Sequence, residues 1–251
     1  MSKKAIGIDI GGTGIKAAVV DVKNGTLLSD RVRVETPAGG MPADIAVVVA
    51  KLVADLGVSR FTPVGICFPA VVQHGFTQSA ANVDKSWIGL NAHDLFESAL
   101  GRKVHVLNDA DAAGVAELKF GAGRKRKGLV IMTTLGTGIG TALFMNGQLV
   151  PNAELGHLEI AGVDYETKAS FAAKERENLD WDAWAARLQT YYEKLEALFS
   201  PDLIIVGGGV SKQHEHFLPK LRLKAAIVPA QKRNNAGILG AAWIAADRDQ
   251  D

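Results

Sequence analysis

One stretch constrains this chain more than any other: Ala5-Ile6-Gly7-Ile8-Asp9-Ile10-Gly11-Gly12-Thr13-Gly14. Ile6, Ile8 and Ile10 alternate with Gly7 and Asp9, which is the period of a strand. The alternation puts the isoleucines on one face and Asp9 on the other. Gly11, Gly12 and Gly14 then strip a tight turn of side chains, so its backbone N–H groups can come close to an anion. Thr13 adds a hydroxyl and Lys16 a positive charge. An acid at a strand end, just before such a turn, suits a hydrated divalent cation beside phosphate.

Two familiar phosphate loops fail here. Gly12-Thr13-Gly14-Ile15-Lys16-Ala17 fits the spacing of a dinucleotide fingerprint, but that fingerprint must open a helix. Instead a β-leaning run extends from Ile15 to Val22 and is closed by Asn24-Gly25, a hairpin signal. No Gly-Lys dipeptide occurs in the chain, so a P-loop is excluded. A glycine hairpin with no ligand remains the plain alternative for this turn taken alone.

The 251 residues suffice for one large domain or two small ones. Net charge is +1, so bulk electrostatics favour neither a nucleic-acid nor a membrane partner. The single cysteine, Cys67, lies in the apolar run 64–68 and reads as a buried, inert thiol. It excludes internal disulfides and multi-cysteine zinc sites. No apolar run approaches the roughly 18 residues of a membrane span. Met1-Ser2-Lys3-Lys4 runs straight into the first strand and does not read as a signal peptide. The expectation is a cytoplasmic protein.

After the first hairpin, 26–34 reads as a third strand and Pro42–Leu56 as a helix ended by Gly57. Its buried face is Ile45, Val48, Val49, Leu52 and Leu56. A short buried strand covers 63–68, and 70–89 reads as an irregular polar loop containing Asn82, Asp84 and Trp87. Asn91 caps a helix to Leu100, and the strand 104–107 ends at Asn108-Asp109. A helix comes next over 111–118, then a basic turn at 123–128. Strands 129–134 and 139–146 form a second hairpin around Leu135-Gly136-Thr137-Gly138. Helices are expected over 169–175 and 181–199, the latter with a stripe of Trp184, Leu188, Tyr191, Leu195 and Leu198. The strand 202–206 precedes Gly207-Gly208-Gly209, Ser211 is the expected cap of the next helix, and a last strand (225–228) and helix (236–246) close the chain. Each half opens with a Gly/Thr hairpin, so the economical arrangement is two α/β halves with a cleft between them. The expected domains are 1–107, closed by the C-terminal helix 236–251, and 108–235.

Asn108-Asp109 stands at a strand end with a helix behind it, the usual place for functional groups in an α/β sheet. One of the pair can cap the helix while the other accepts a proton from a substrate hydroxyl. Two Gly/Thr hairpins, the first carrying an acid, point to phosphoryl transfer, which needs a cradle for each phosphate, a metal and a base. Glu154-Leu155-Gly156-His157 offers a carboxylate and an imidazole suited to vicinal hydroxyls. A structural polar loop is the alternative.

Together these motifs, in this order, resemble the ROK family of sugar kinases and repressors, within the actin-like ATPase (ribonuclease H-like) superfamily. They are Asp9-Ile10-Gly11-Gly12-Thr13, Asn108-Asp109-Ala110, Leu135-Gly136-Thr137-Gly138, Glu154-Leu155-Gly156-His157 and Gly207-Gly208-Gly209-Val210. The stretches 108–114 and 152–159 resemble bacterial polyphosphate glucokinases more closely. The resemblance implies a two-domain α/β fold with sugar held between the domains, and Asp109 as the base at the glucose 6-hydroxyl. It implies Asn82, Asn108, Asp109, Glu154, His157 and Glu166 as sugar ligands, with Glu159 the runner-up to Glu166. Asp9, Gly11, Gly12, Thr13 and Lys16 match the first phosphate site, with Mg²⁺ held by Asp9 through water. Thr134, Gly136, Thr137 and Gly138 match the second, and Gly207, Gly208 and Gly209 the place of the nucleoside. A homodimer is what the family suggests.

Two departures matter. Relatives carry a cysteine-rich zinc loop after the Glu-x-Gly-His motif, whereas 160–173 has no cysteine, so no structural zinc is expected. Only eight residues precede Asp9, too few for the DNA-binding segment of family repressors. The expected reaction is transfer from polyphosphate, and from ATP, to glucose or mannose. A strictly ATP-dependent hexokinase, a non-catalytic sugar sensor and an actin-like filament protein are the alternatives. Cations crowd 119–127 and 220–233, and at least one cluster is expected to line a polyphosphate path leading to Thr137.

Overall fold

The computed structural model describes residues 4–81 and 83–248. The chain divides into two compact units, 1–116 with 235–251, and 117–234. The first division falls inside a helix, nine residues beyond the domain limit expected after residue 107.

In the first unit β1 (Lys4–Ile10) and β2 (Ile15–Asp21) form the expected antiparallel hairpin, with Asp9 opposite Lys16. The expected third strand is broken. β3 (Thr26–Leu27) and β4 (Val32–Val34) both pair with β2 but are separated at Ser29, whose Oγ accepts the Val19 N–H at 3.0 Å in place of a ladder bond. Helix α1 (Pro42–Asp55) leads to β5 (Val64–Phe68). The loop expected over 70–89 contains a small hairpin, β6 (Val72–Gln73) with β7 (Phe76–Thr77), and a 3₁₀ turn at Lys85–Trp87. Trp87 is not a polar-loop residue: it is fully buried against Phe68 and Phe96, and its Nε1 donates to Gly40 O at 2.8 Å. Helix α2 (Ala92–Leu100), capped by Asn91, precedes β8 (Val104–Asn108), and α3 (Asp109–Phe120) begins two residues earlier than expected.

The sheet order is β3-β2-β1-β5-β8, with β1, β5 and β8 parallel. One face packs Ile6, Ile8 and Ile10 against α1 and α2. The other face is built on glycine. A Cβ on Gly7 would collide with the backbone of Ile238, and one on Gly65 with that of Ala241. The last helix, Ala236–Arg248, therefore lies directly on the main chain of β1 and β5.

The second unit repeats the plan. β9 (Leu129–Leu135), β10 (Ile139–Met145) and β11 (Gln148–Val150) form an antiparallel meander. A two-stranded ribbon comes after it, β12 (Glu159–Ile160) with β13 (Val163–Asp164). The helix expected over 169–175 is two short ones, α4 (Glu166–Ala169) and α5 (Phe171–Arg176), divided at Ser170, which caps the second. Helix α6 (Trp181–Phe199) buries Trp184, Leu188, Tyr191 and Leu195 as expected. It leaves Leu198 exposed and buries Tyr192, whose hydroxyl reaches Thr133 Oγ1 at 2.8 Å. β14 (Leu203–Gly207) and β15 (Ala226–Pro229) complete the order β11-β10-β9-β14-β15, with β9, β14 and β15 parallel. Ser211 is not the expected cap: it lies within the 3₁₀ segment Gly209–His216 and donates its hydroxyl to Gly208 O.

The tight seating of the last helix gives a test of packing. Gly65→Ala should lower stability by about 3 kcal/mol, because the methyl group can enter only by forcing the helix off the strand. Urea denaturation of the variant beside the wild type measures it.

Candidate active site

In the first unit three parallel strands end together. Asp9 on β1 is level with Cys67 on β5, and Cys67 with Leu107 on β8. The glycine turn comes directly after Asp9 and Ile10, and Asn108-Asp109 directly after Leu107. The turn is closed by Gly11 N–H donating to Gly14 O at 3.1 Å. Two arms hold its carbonyls: Thr36 Oγ1 donates to Gly11 O at 2.5 Å, and Arg33 Nη2 to Thr13 O at 3.1 Å. Among the described residues the N–H groups of Gly12 and Thr13 have no protein acceptor, as an anion cradle requires.

Asp9 holds Lys16 at 2.8 Å through Oδ2, and its Oδ1 accepts from Cys67 Sγ at 3.6 Å. Cys67 is fully buried. Burial pushes its thiol well above the usual range, and the charges of Asp9 and Asp109 push it further. The expectation of a buried, inert thiol holds. Asn108 is the capping member of its pair. It is buried, its Oδ1 accepts the N–H groups of Ala110 and Asp111 at 2.8 and 3.1 Å, and its Nδ2 donates to Ala70 O at 3.1 Å. That leaves one amide hydrogen for any ligand. Asp109 is exposed, with Oδ1 taking the Ala110 N–H at 2.8 Å. Asn82 lies outside the described residues.

In the second unit β9 and β14 also end together, with Thr134 level with Gly207. The turn between β9 and β10 is closed by Gly136 N–H to Gly138 O at 3.0 Å, with Thr137 exposed at its tip. Gly208, at φ +84°, lies against the backbone of Leu135, which brings the two glycine motifs together.

The Glu-Leu-Gly-His segment is pinned to β10. Thr141 Oγ1 donates to Ala153 O and accepts the Leu155 N–H at 2.9 Å, straddling Glu154. Gly156 allows the segment to touch the carbonyl of Ile139. Glu166 Oε2 accepts the Ile139 N–H at 2.6 Å and fills the space beside Gly138. Its charge acts on both Glu154 and His157, so Glu166 belongs to their cluster. Desolvation raises the Glu154 carboxyl above its ordinary value; His157 opposes the shift and Glu166 adds to it.

Asp164 was not singled out by the sequence. Its Oδ2 sits 2.9 Å from His157 Nδ1 and its Oδ1 accepts the Glu166 N–H at 3.1 Å, so one carboxylate orients two of the expected ligands. That bond raises the His157 pKa above 6.5. Only a hairpin between His157 and Glu166 brings Asp164 back, and the short strands β12 and β13 carried no clear alternation. Thr141 was missed for a related reason, since a threonine inside a strand reads as a β-former.

The basic turn 124–127 precedes β9, whereas Thr137 lies beyond it. Seven residues of strand, about 23 Å, separate them. The expected path from that cluster to Thr137 is not supported by this geometry. Lys232 and Arg233 come after β15 at the same sheet end as Gly207. Fully buried Glu117 fixes them there: its Oε1 accepts the N–H groups of Gln231 and Lys232 at 2.8 and 2.5 Å. No helix among the described residues is long and apolar enough to cross a membrane.

This arrangement is matched by comparison with known proteins. The ROK family model matches residues 5–177, and the chain belongs to that family. Its two units, each a meander joined to two parallel strands, form the actin-like ATPase fold. The polyphosphate glucokinase of Mycobacterium tuberculosis is 44% identical over 241 residues, 96% of this chain and 90% of that protein. The crystal structure of the inorganic polyphosphate/ATP-glucomannokinase from Arthrobacter sp. strain KM is similar at a TM-score of 0.93, with 54% identity over 98% of this chain and all of that one. A ROK family glucokinase from Streptomyces griseus, solved with glucose and AMPPNP, is 28% identical at a TM-score of 0.81, covering 97% and 99% of the two chains.

The His157–Asp164 pair has a measurable signature. Asp164→Asn should return the His157 pKa toward about 6.5, read from imidazole chemical shifts against pH. The raised folded-state pKa means that the pair stabilises fully below about pH 6.5 and loses its effect as pH rises through the higher folded value. The melting-temperature gap between wild type and variant should therefore be widest in acid and close above the folded pKa.

Proposed function

We propose that the protein is a sugar kinase that transfers a phosphoryl group from inorganic polyphosphate, and from ATP, to the 6-hydroxyl of glucose or mannose. The observation that carries this reading is the strand-end placement of Asp109, exposed and held by the Asn108 cap, near Asp9 and the first glycine turn. The names of the similar proteins supply the two donors and the sugars.

Each group has a task in that reaction. Asp109 takes the hydroxyl proton as the sugar oxygen bonds to the terminal phosphorus and the bridging P–O bond breaks. The shortened donor leaves with the electron pair of that bond. Glu154, His157 and Glu166 bind the remaining hydroxyls, with Asp164 and Thr141 keeping them in place. Of Asn108 only the second Nδ2 hydrogen serves the sugar; its larger task is to hold Asp109. The turn from Gly11 to Gly14, through the N–H groups of Gly12 and Thr13 and with Lys16, cradles one donor phosphate. Thr134, Gly136, Thr137 and Gly138 cradle another, and Gly207, Gly208 and Gly209 let a nucleoside approach the backbone.

Asp9 fits Mg²⁺. The described residues hold no group of three or more acidic, histidine or cysteine side chains that could cage an ion. Mg²⁺ commonly takes one or two carboxylates, water and substrate phosphates instead. When bound it would neutralise charge on the donor phosphates. The proposal includes a homodimer in the cytoplasm.

A coupled assay for glucose 6-phosphate, with ATP or polyphosphate, tests the reading, and turnover with neither donor would overturn it. Asp109→Ala should lower kcat roughly a hundredfold or more while glucose binding, followed by calorimetry, is largely kept. A variant with near-normal kcat would remove Asp109 from the role of base.

A further inference from the structure

One row of side chains crosses the first unit's sheet on the face that bears Asp9. Cys67 is opposite Asp9, Asp9 opposite Lys16, and Lys16 opposite Arg33 on the edge strand β4. Directly paired residues point to one side of a sheet, so Arg33 stands on the same side as Asp9. Lys16 gives one of its three donors to Asp9. Arg33 is exposed, and its Nη2 bond to Thr13 O ties it to the very turn that cradles phosphate. Arg31, one residue before β4, is exposed and donates Nη1 to Asn235 Oδ1 at 3.0 Å, at the start of the last helix, which lies on that same face. Gly12 also borders a cavity of about 470 Å³ where Asp84 offsets Lys85. That cavity offers a polyanion no net attraction.

We propose that Arg33, with Arg31 beyond it, forms a subsite for the donor phosphates that lie past the transferred group. The ligand chemistry is a phosphoanhydride chain, as a nucleoside triphosphate or as inorganic polyphosphate. The guanidinium fork matches phosphate oxygens better than an ammonium does. A second guanidinium beyond the first serves a chain longer than three phosphates, so the subsite favours polyphosphate. Glu35, one residue past β4 and also exposed, opposes it and sets its limit.

The inference rests on the kinase reading, and the experiment separates the two. Glucose 6-phosphate formation is measured for wild type, Arg33→Gln, Arg33→Lys, Arg31→Gln and Glu35→Gln, with ATP, tripolyphosphate and long-chain polyphosphate. Arg33→Gln should raise the KM for long-chain polyphosphate about tenfold, and at least fivefold more than for ATP, with tripolyphosphate between. Arg33→Lys should recover part of the loss. Arg31→Gln should raise the long-chain KM about threefold, and Glu35→Gln should lower it about twofold. Removing either arginine should also flatten the rise of the polyphosphate KM with salt, because fewer counterions are displaced. Lys125→Glu, at the far end of β9, is the charge control.

Equal losses with all donors would make Arg33 a prop for the turn and overturn the subsite. Unchanged KM values would overturn it too. Wild-type turnover with ATP alone would refute the subsite and leave the sugar kinase standing, whereas no turnover with any donor would refute the kinase reading itself.

Discussion

The last helix rests on bare backbone at Gly7 and Gly65, and the geometry of the first unit depends on that contact. These glycines are paired across β1 and β5, and together they remove the side chains that would hold the helix off the sheet. The helix therefore begins close beside Asp9, and Gly237 leaves room for the Asp9 carboxylate and the Cys67 sulfur. A bulkier residue at any of these places would push the helix outward and carry the strand ends with it. The same alternation that clears this face fills the other with Ile6, Ile8 and Ile10. One strand thus carries a core on one side and chemistry on the other.

Polar groups near the expected ligands divide into those that hold and those that face outward. Asn108 gives nearly all of its hydrogen-bonding capacity to the start of α3, and Asp109, one residue on, stands exposed. Asp164 anchors His157 and the first turn of α4, and Thr141 grips both sides of Glu154. Arg33 and Thr36 each hold one carbonyl of the glycine turn and so fix its shape. Rigid supports of this kind matter for phosphoryl transfer, where catalysis is mostly positioning and charge stabilisation.

The second unit repeats the strand order of the first, meander then two parallel strands, without a repeated sequence. Physical requirements common to both explain this. Each opens with a strand–glycine turn–strand, and each returns through helices to add strands on one edge. The two differ in their additions: a helix lies on glycines in the first unit, whereas a two-stranded ribbon and short helices carry Glu159, Asp164 and Glu166 in the second.

Much of this was legible in the residues. Alternation with glycine and Asn-Gly at a turn fixes the two hairpins, because period and turn chemistry are local properties. The stripe of α6 and the cap at Asn91 are local in the same sense. Trp87 went unread because its burial depends on a carbonyl 47 residues away. The break at Ser29 depends on a hydroxyl outcompeting a backbone acceptor. The sequence by itself determined the α/β class, the two glycine turns and the acid after the strand ending at Asn108. Tertiary structure alone decided that Asn108 caps, that Asp164 binds His157, that the 124–127 cations stand at the far end of β9, and that Arg33 reaches Thr13. Each of those depends on strand register or on contacts between distant segments, which pairing and packing fix and local spacing does not.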